Sequence, residues 1–234
     1  GKGRGEGAPA GMAAASGFGP GAGEEGQPLY TLDVETFQAG REAVVGDSYA
    51  VARLPDGRTA LILSDGMGVG SRAAADSRAA VTMVRRLLEA GLDPRLALRT
   101  VNAVLLARAA DETYATLDVM IFNGATAEAA FWKLGAAATL IKRGRQVELL
   151  QGTAPPAGIL EGTELRPLER RLQAGDLVIM LSDGVLEACP ATGDREWWLA
   201  RQLHKTELED PREVLEALRK LLPRHGHLPD DASI

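Results

Sequence analysis

The chain has 234 residues, 45% of them hydrophobic, enough for one large domain with its own core and too few for a comfortable second one. Its 26 basic against 32 acidic residues leave a formal charge of −6, which gives nucleic acid no broad positive face to bind. The single cysteine, Cys189, excludes an intrachain disulfide framework and fits a reducing cytoplasmic setting; apolar runs such as LVIML at 177–181 fall far short of the roughly 20 residues a membrane span needs, and no signal peptide opens the chain.

In chain order, residues 1–26 are rich in glycine and alanine with no hydrophobic period, the composition of a flexible linker, and residues 27–234 form the folded domain. YTLDVETF (30–37), AVVGDSYAVARL (43–54) and TALILS (59–64) read as strands. Asp56-Gly57 between the last two predicts an antiparallel hairpin. SRAAADSRAAVTMVRRLLEAG (71–91) spaces Ala74, Arg78, Val81, Val84 and Leu88 at helical steps, with Gly91 placed to cap the end. Asp93 and Pro94 start a second helix through LALRTVNAVLLARAA. Six strands follow: YATLDVMIFN (114–123), AEAAFWKL (127–134), ATLIKRG (138–144), QVELL (146–150), ELRPLERRL (164–172) and DLVIMLS (176–182). Two more helices are expected, around REWWLARQLHK and from Pro211 through Leu222. Strands that cluster in hairpins, with helices grouped between and after them, predict an α+β sandwich of two antiparallel β-sheets flanked by α-helices.

The chemistry concentrates in acids. LSDG occurs twice, ending in Asp65-Gly66 and Asp183-Gly184; Asp47 lies in VVGDSY and Asp230 in LPDDAS, each at a strand end or in a loop beside one. Four acids brought to one edge of a sandwich repel one another unless cations neutralise them. Oxygen ligands suit hard divalent ions such as Mg²⁺ or Mn²⁺, and a pair of such ions can acidify a shared water and clamp a phosphoryl oxygen. A glycine after the acid frees the backbone carbonyl to turn toward an ion and lets substrate approach. Taken singly, each Asp-Gly is as consistent with a plain turn.

GDSY, SDGMGVG, TLDVMIFN, LGAAATLIKRG, LSDGVLEA and DDAS, in that order, resemble the metal-dependent serine/threonine phosphatases of the protein phosphatase 2C type. Within them, DGMGVGSRAAADS and DETYATLDV resemble the phosphatase domain of the stage II sporulation protein E subgroup. The resemblance covers about residues 30–234 and implies two Mn²⁺ or Mg²⁺ ions at one end of the sandwich. It implies that Asp65 bridges both ions and the Gly66 carbonyl binds one, that Asp183 and Asp230 hold the other, and that Asp47 acts on the second ion directly or through water. Asp231 stands where many relatives have asparagine and is read as a support. The arginine that often precedes the GD motif to grip phosphate has only Arg41 as a counterpart, followed by Glu42. The chain stops at Ile234, where relatives continue into a further strand. The substrate implied is a phosphoserine on an anti-anti-sigma factor, in sporulation or sigma-factor control, with no nucleic acid and no membrane contact from this chain; homodimerisation is left open, and so is packing of residues 71–109 as a switch.

Other readings compete. A catalytically weak or inactive pseudophosphatase acting as a partner-binding module is the alternative to an enzyme. SDGMGVGS as a dinucleotide loop has Ser71 where the last glycine is wanted, with Asp65 in front to repel a pyrophosphate. Cys189 six positions before Arg195 hints at a cysteine-dependent phosphatase, but Glu187 and Asp194 oppose a stabilised thiolate, so a buried free thiol is expected. His225 and His227 as an H-x-H metal pair, and Asp111 or Glu112 as ligands of a third metal, compete with the stronger reading of solvated surface, while Trp197 and Trp198 read as split between core and solvent.

Overall fold

The computed structural model describes residues 29–40, 45–66, 71–108, 114–222 and 228–234. The linker assigned to 1–26 lies outside them, as do Arg41, Glu42, Asp111, Glu112, His225 and His227.

The expected hairpin is present: β2 (Ser48–Arg53) pairs antiparallel with β3 (Thr59–Ser64), from Ser48↔Ser64 at the open end to Arg53↔Thr59 beside the turn. Gly57 supplies the positive φ the turn requires, at 81°. β3 pairs with β4 (Leu117–Asn123), β4 with β5 (Glu128–Leu134) and β5 with β8 (Leu168–Arg171), all antiparallel, in the order β2-β3-β4-β5-β8. A second antiparallel sheet runs β7 (Gln146–Leu150), β6 (Thr139–Arg143), β9 (Leu177–Ile179). A small third pair joins β1 (Gln38–Ala39) to β10 (Ala232–Ser233).

Alternation along the strands sorts side chains into three apolar layers. β4 is covered on both sides, so its run LDVMIF is wholly buried. Val119 and Ile121 face α1 (Ser71–Glu89) and α2 (Pro94–Ala107), packing with Val84, Leu88, Leu98, Val101 and Leu105. Met120 and Phe122 face inward and meet Phe131, Ile141 and Leu150 between the two sheets. On the far side, Leu140 and Ile179 pack against α3 (Asp183–Glu187), α4 (Arg195–His204) and α5 (Pro211–Arg219) through Val185, Leu199, Leu203, Val214 and Leu218. The expected sandwich flanked by helices is therefore the observed architecture. Asp93 caps α2 as read, accepting from the Leu96 amide, with Pro94 at the first position.

Three expectations need correction. Residues 30–37 form no strand: the Tyr30 amide donates to Gly124 and Phe37 exchanges hydrogen bonds with Ile234, and only Gln38–Ala39 joins a ladder. An alternating stretch becomes a strand only where a sheet edge is offered to it, and that offer is tertiary. Arg78 points to solvent, while Ala73, Ser77 and Ala80 share the buried face of α1 with Ala74, Val81, Val84 and Leu88. Asp183 opens the short helix α3 rather than a loop. No helix among the described residues is long and apolar enough to cross a membrane.

Phe131 is fully buried at the centre of the sandwich. Phe131→Ala is expected to lower unfolding free energy by about 3–5 kcal/mol, read from urea denaturation.

Candidate active site

Asp47 immediately precedes β2 and Asp65 immediately follows β3, so the Ser48↔Ser64 pairing delivers both acids to the open end of one hairpin. Thr116 fixes the end of β3: its hydroxyl accepts from the Asp65 amide at 2.9 Å, and its own amide donates to the Asp65 carbonyl at 2.9 Å. Asp183 arrives from the second sheet, one turn beyond β9. Asp230 and Asp231 arrive with β10, which the Ser182–Ser233 backbone bond at 3.0 Å and a Ser233 amide bond to the Ser182 hydroxyl at 2.9 Å tie to the end of β9.

The glycines of the two LSDG stretches explain how these segments come so close. A Cβ on Gly66 would lie 1.9 Å from the carbonyl oxygen of Ala73 in α1, and one on Gly184 would lie 2.1 Å from the carbonyl oxygen of Asp231. Both positions exclude any side chain because another backbone already occupies the space. Gly46, before Asp47, is clasped from two directions: its amide donates to Asp231 Oδ2 at 2.5 Å, and its carbonyl accepts from the Ser77 hydroxyl of α1.

Asp47 is buried, and neither of its carboxylate oxygens has a hydrogen-bond partner. Burial pushes its carboxyl up from 3.8 to about 6; the nearby hydroxyls of Ser233 and Ser182 and the Asp65 carboxyl draw it partly back without a bond of good geometry, and the Asp231 charge adds to the rise. Asp65 is pushed further, to about 9, first by burial and then by repulsion from Asp47 and Asp183. Asp47, Asp65 and Asp183 therefore meet. Asp230 is half-buried and accepts the Asp231 amide at 2.8 Å. As they stand, no three Asp, Glu, His or Cys side chains among the described residues are drawn in closely enough to hold an ion. The set nonetheless fits hard divalent ions: all oxygen, uncompensated negative charge, and two buried oxygens with no protein donor.

The rival cysteine site is not formed. Cys189 is buried, its thiol donates to the Val185 carbonyl at 3.3 Å, and burial pushes that thiol up in spite of Arg195. The stretch 67–70, which the dinucleotide reading needs, lies outside the described residues. Trp197 is exposed and Trp198 packs on the α4–α5 core, the expected split.

A family model described as stage II sporulation protein E matches residues 55–234. The chain belongs to that family. Stage II sporulation protein E of Bacillus subtilis (strain 168) is 35% identical over 193 residues, 82% of this chain and 23% of that protein, so the chain spans about a quarter of its relative. The structure of the PP2C phosphatase domain and a fragment of the regulatory domain of SpoIIE from Bacillus subtilis superposes with a TM-score of 0.76 at 33% identity, covering 85% of this chain and 59% of that one. RsbX in complex with magnesium gives a TM-score of 0.65 at 17% identity, over 85% of this chain and 90% of that one, a likeness of fold. The sandwich is thus the PP2C-like fold, and the family is one of metal-dependent serine/threonine phosphatases.

Sequence reasoning missed an ion pair behind the acids: Lys133 Nζ lies 2.6 Å from Asp118 Oδ2, both side chains 1% exposed. The signal was present, since a charge interrupts the apolar run in each of two consecutive strands, DVMIF and AFWKL.

Two outcomes are expected. Raised carboxyl groups bind protons more tightly in the folded than in the unfolded chain, so their stabilisation is complete below pH 3.8 and is lost as pH rises through about 6 and about 9. With EDTA present, the melting temperature should fall between pH 5 and pH 9, and Asp65→Asn should lessen that fall and raise the value at pH 9, checked by scanning calorimetry. Gly184→Ala should destabilise the domain by about 1–3 kcal/mol in urea unfolding, because Asp231 must move to admit the methyl group.

Proposed function

We propose that this domain hydrolyses a phosphoserine on a protein substrate, an anti-anti-sigma factor, in the cytoplasm. The observation that carries the reading is the meeting of Asp47, Asp65 and Asp183, with both Asp47 oxygens buried and unpaired and Asp65 pushed to about 9 by its neighbours. Side chains that oppose one another this strongly are kept together where cations bind.

In this reading Asp47, Asp65, the Gly66 carbonyl, Asp183 and Asp230 would hold the two ions, Asp47 directly or through water. Two Mn²⁺ or Mg²⁺ ions there supply the positive charge that makes a water nucleophilic at neutral pH and offsets the charge on the phosphoryl oxygens. Asp47 is fixed by the grip of Ser77 and Asp231 on Gly46, and Asp65 by Thr116. Asp231, occupied with the Gly46 amide, supports the loop instead of facing substrate. The magnesium complex of RsbX, a protein of the same fold, accords with the choice of ion.

Hydrolysis of a phosphorylated anti-anti-sigma factor should require Mn²⁺ or Mg²⁺, cease with EDTA and ignore a thiol-blocking reagent. Asp65→Asn should reduce kcat by about 100-fold or more, in line with loss of a group that stabilises developing charge, while Cys189→Ser leaves turnover unchanged. Loss of activity in Cys189→Ser with Asp65→Asn intact would overturn the metal assignment. A folded chain that binds the phosphoprotein with Mn²⁺ present yet releases no phosphate would favour the pseudophosphatase.

A further inference from the structure

The inward face of the sandwich is apolar at its centre, through Met120, Phe131 and Ile141, and polar at the end where the acids lie. Asp118 on β4 and Lys133 on β5 are cross-strand partners there. Asp118 Oδ2 accepts from Lys133 Nζ at 2.6 Å and from the Thr139 hydroxyl of β6 at 2.8 Å, and Lys133 also donates to that hydroxyl at 2.9 Å. The three residues join the two sheets. Asp118 Oδ1, by contrast, is buried with no partner.

A buried polar atom left without a hydrogen bond is costly and calls for an explanation. Asp118 lines a cavity of about 20 Å³ that it shares with Asp65, Thr116, Ser182 and Asp183. That volume suits one water molecule, and the lining offers the two to four polar partners such a water needs. Lys133 already cancels the Asp118 charge, so the remaining oxygen wants a neutral donor rather than another cation. Asp118 is paired with Leu63, which makes Asp65, two residues further on, its diagonal neighbour on the same face. Diagonal neighbours are roughly 7–8 Å apart at the backbone, a span that two carboxylates and one intervening water can bridge.

We propose that one ordered water occupies this cavity and donates to both Asp118 Oδ1 and the Asp65 carboxylate, making Asp118, with Lys133 and Thr139 behind it, the positioning residue that orients Asp65 for metal binding. The proposal rests on the metal reading of Asp65 given above. Asp65 has two repelling carboxylates beside it, and the water gives it a hydrogen-bond donor that the chain does not supply. Groups that orient metal ligands from behind are typically worth 10–100-fold in metal affinity or activity.

Two measurements on the whole chain test it. A high-resolution crystal structure should show a water within hydrogen-bonding distance of Asp118 and Asp65; a cavity without water, or a water touching only one of them, overturns the proposal. In calorimetric titration with Mn²⁺, Asp118→Asn should weaken binding about 10- to 100-fold while the protein still unfolds cooperatively, and it should lower kcat with KM for the phosphoprotein unchanged. Unchanged Mn²⁺ affinity in folded Asp118→Asn means a purely structural ion pair and overturns it. Should Asp118→Asn fail to fold, Ala136→Val, which narrows the cavity and spares the ion pair, carries the same test: weaker Mn²⁺ binding supports the water, unchanged binding opposes it. Failure of the metal reading is distinct, because then the wild-type chain itself binds no Mn²⁺ and both proposals fall together.

Discussion

Carboxylates that repel one another are held at one end of this sandwich by backbone with no freedom to part them. Asp47 and Asp65 flank the Ser48↔Ser64 rung of a single hairpin, so separating them would mean unzipping a ladder. Asp183 is pressed toward them from the second sheet, where Gly184 leaves no gap to the Asp231 backbone. Burial, and then repulsion from Asp47 and Asp183, drives Asp65 up to about 9. The three apolar layers hold the two sheets and their flanking helices together around these acids.

The two kinds of buried charge behind this end differ in an instructive way. Asp118 is neutralised by Lys133 and bonded by Thr139, which lets it sit inside the sandwich. Asp47 has no ion-pair partner among the described residues, neither of its oxygens has a hydrogen bond, and the Asp231 charge lies nearby. A carboxylate paired with a lysine inside the fold gains little from an outside ion, whereas a cluster of unpaired carboxylates gains free energy from one.

The neighbouring elements reach the acid end through backbone contacts. α1 touches it twice, through the close approach of Ala73 to Gly66 and through the Ser77 hydroxyl on Gly46. β10 touches it through Asp231 and the Ser182–Ser233 bonds. Segments more than 180 residues apart in sequence are thereby made to fix one short loop, since Asp231 and Gly46 are 185 positions apart. Long-range closure of this kind takes shape only when the sheets have packed.

Periodicity and punctuation alone determined the hairpin at Asp56-Gly57, the capped helix at Asp93-Pro94, the strands from 117 to 150 and the sandwich class, because each depends on neighbours a few residues away. The repeated LSDG and the ordered motifs likewise marked Asp47, Asp65, Asp183 and Asp230 as the residues to watch. Tertiary structure decided the rest. It left 30–37 without a ladder, turned Arg78 outward, started a helix at Asp183 and matched Asp118 to Lys133, since each outcome depends on which distant surface arrives alongside. It also gave the two glycines a reason the sequence could not supply: the space a side chain would need is filled by backbone from another part of the chain.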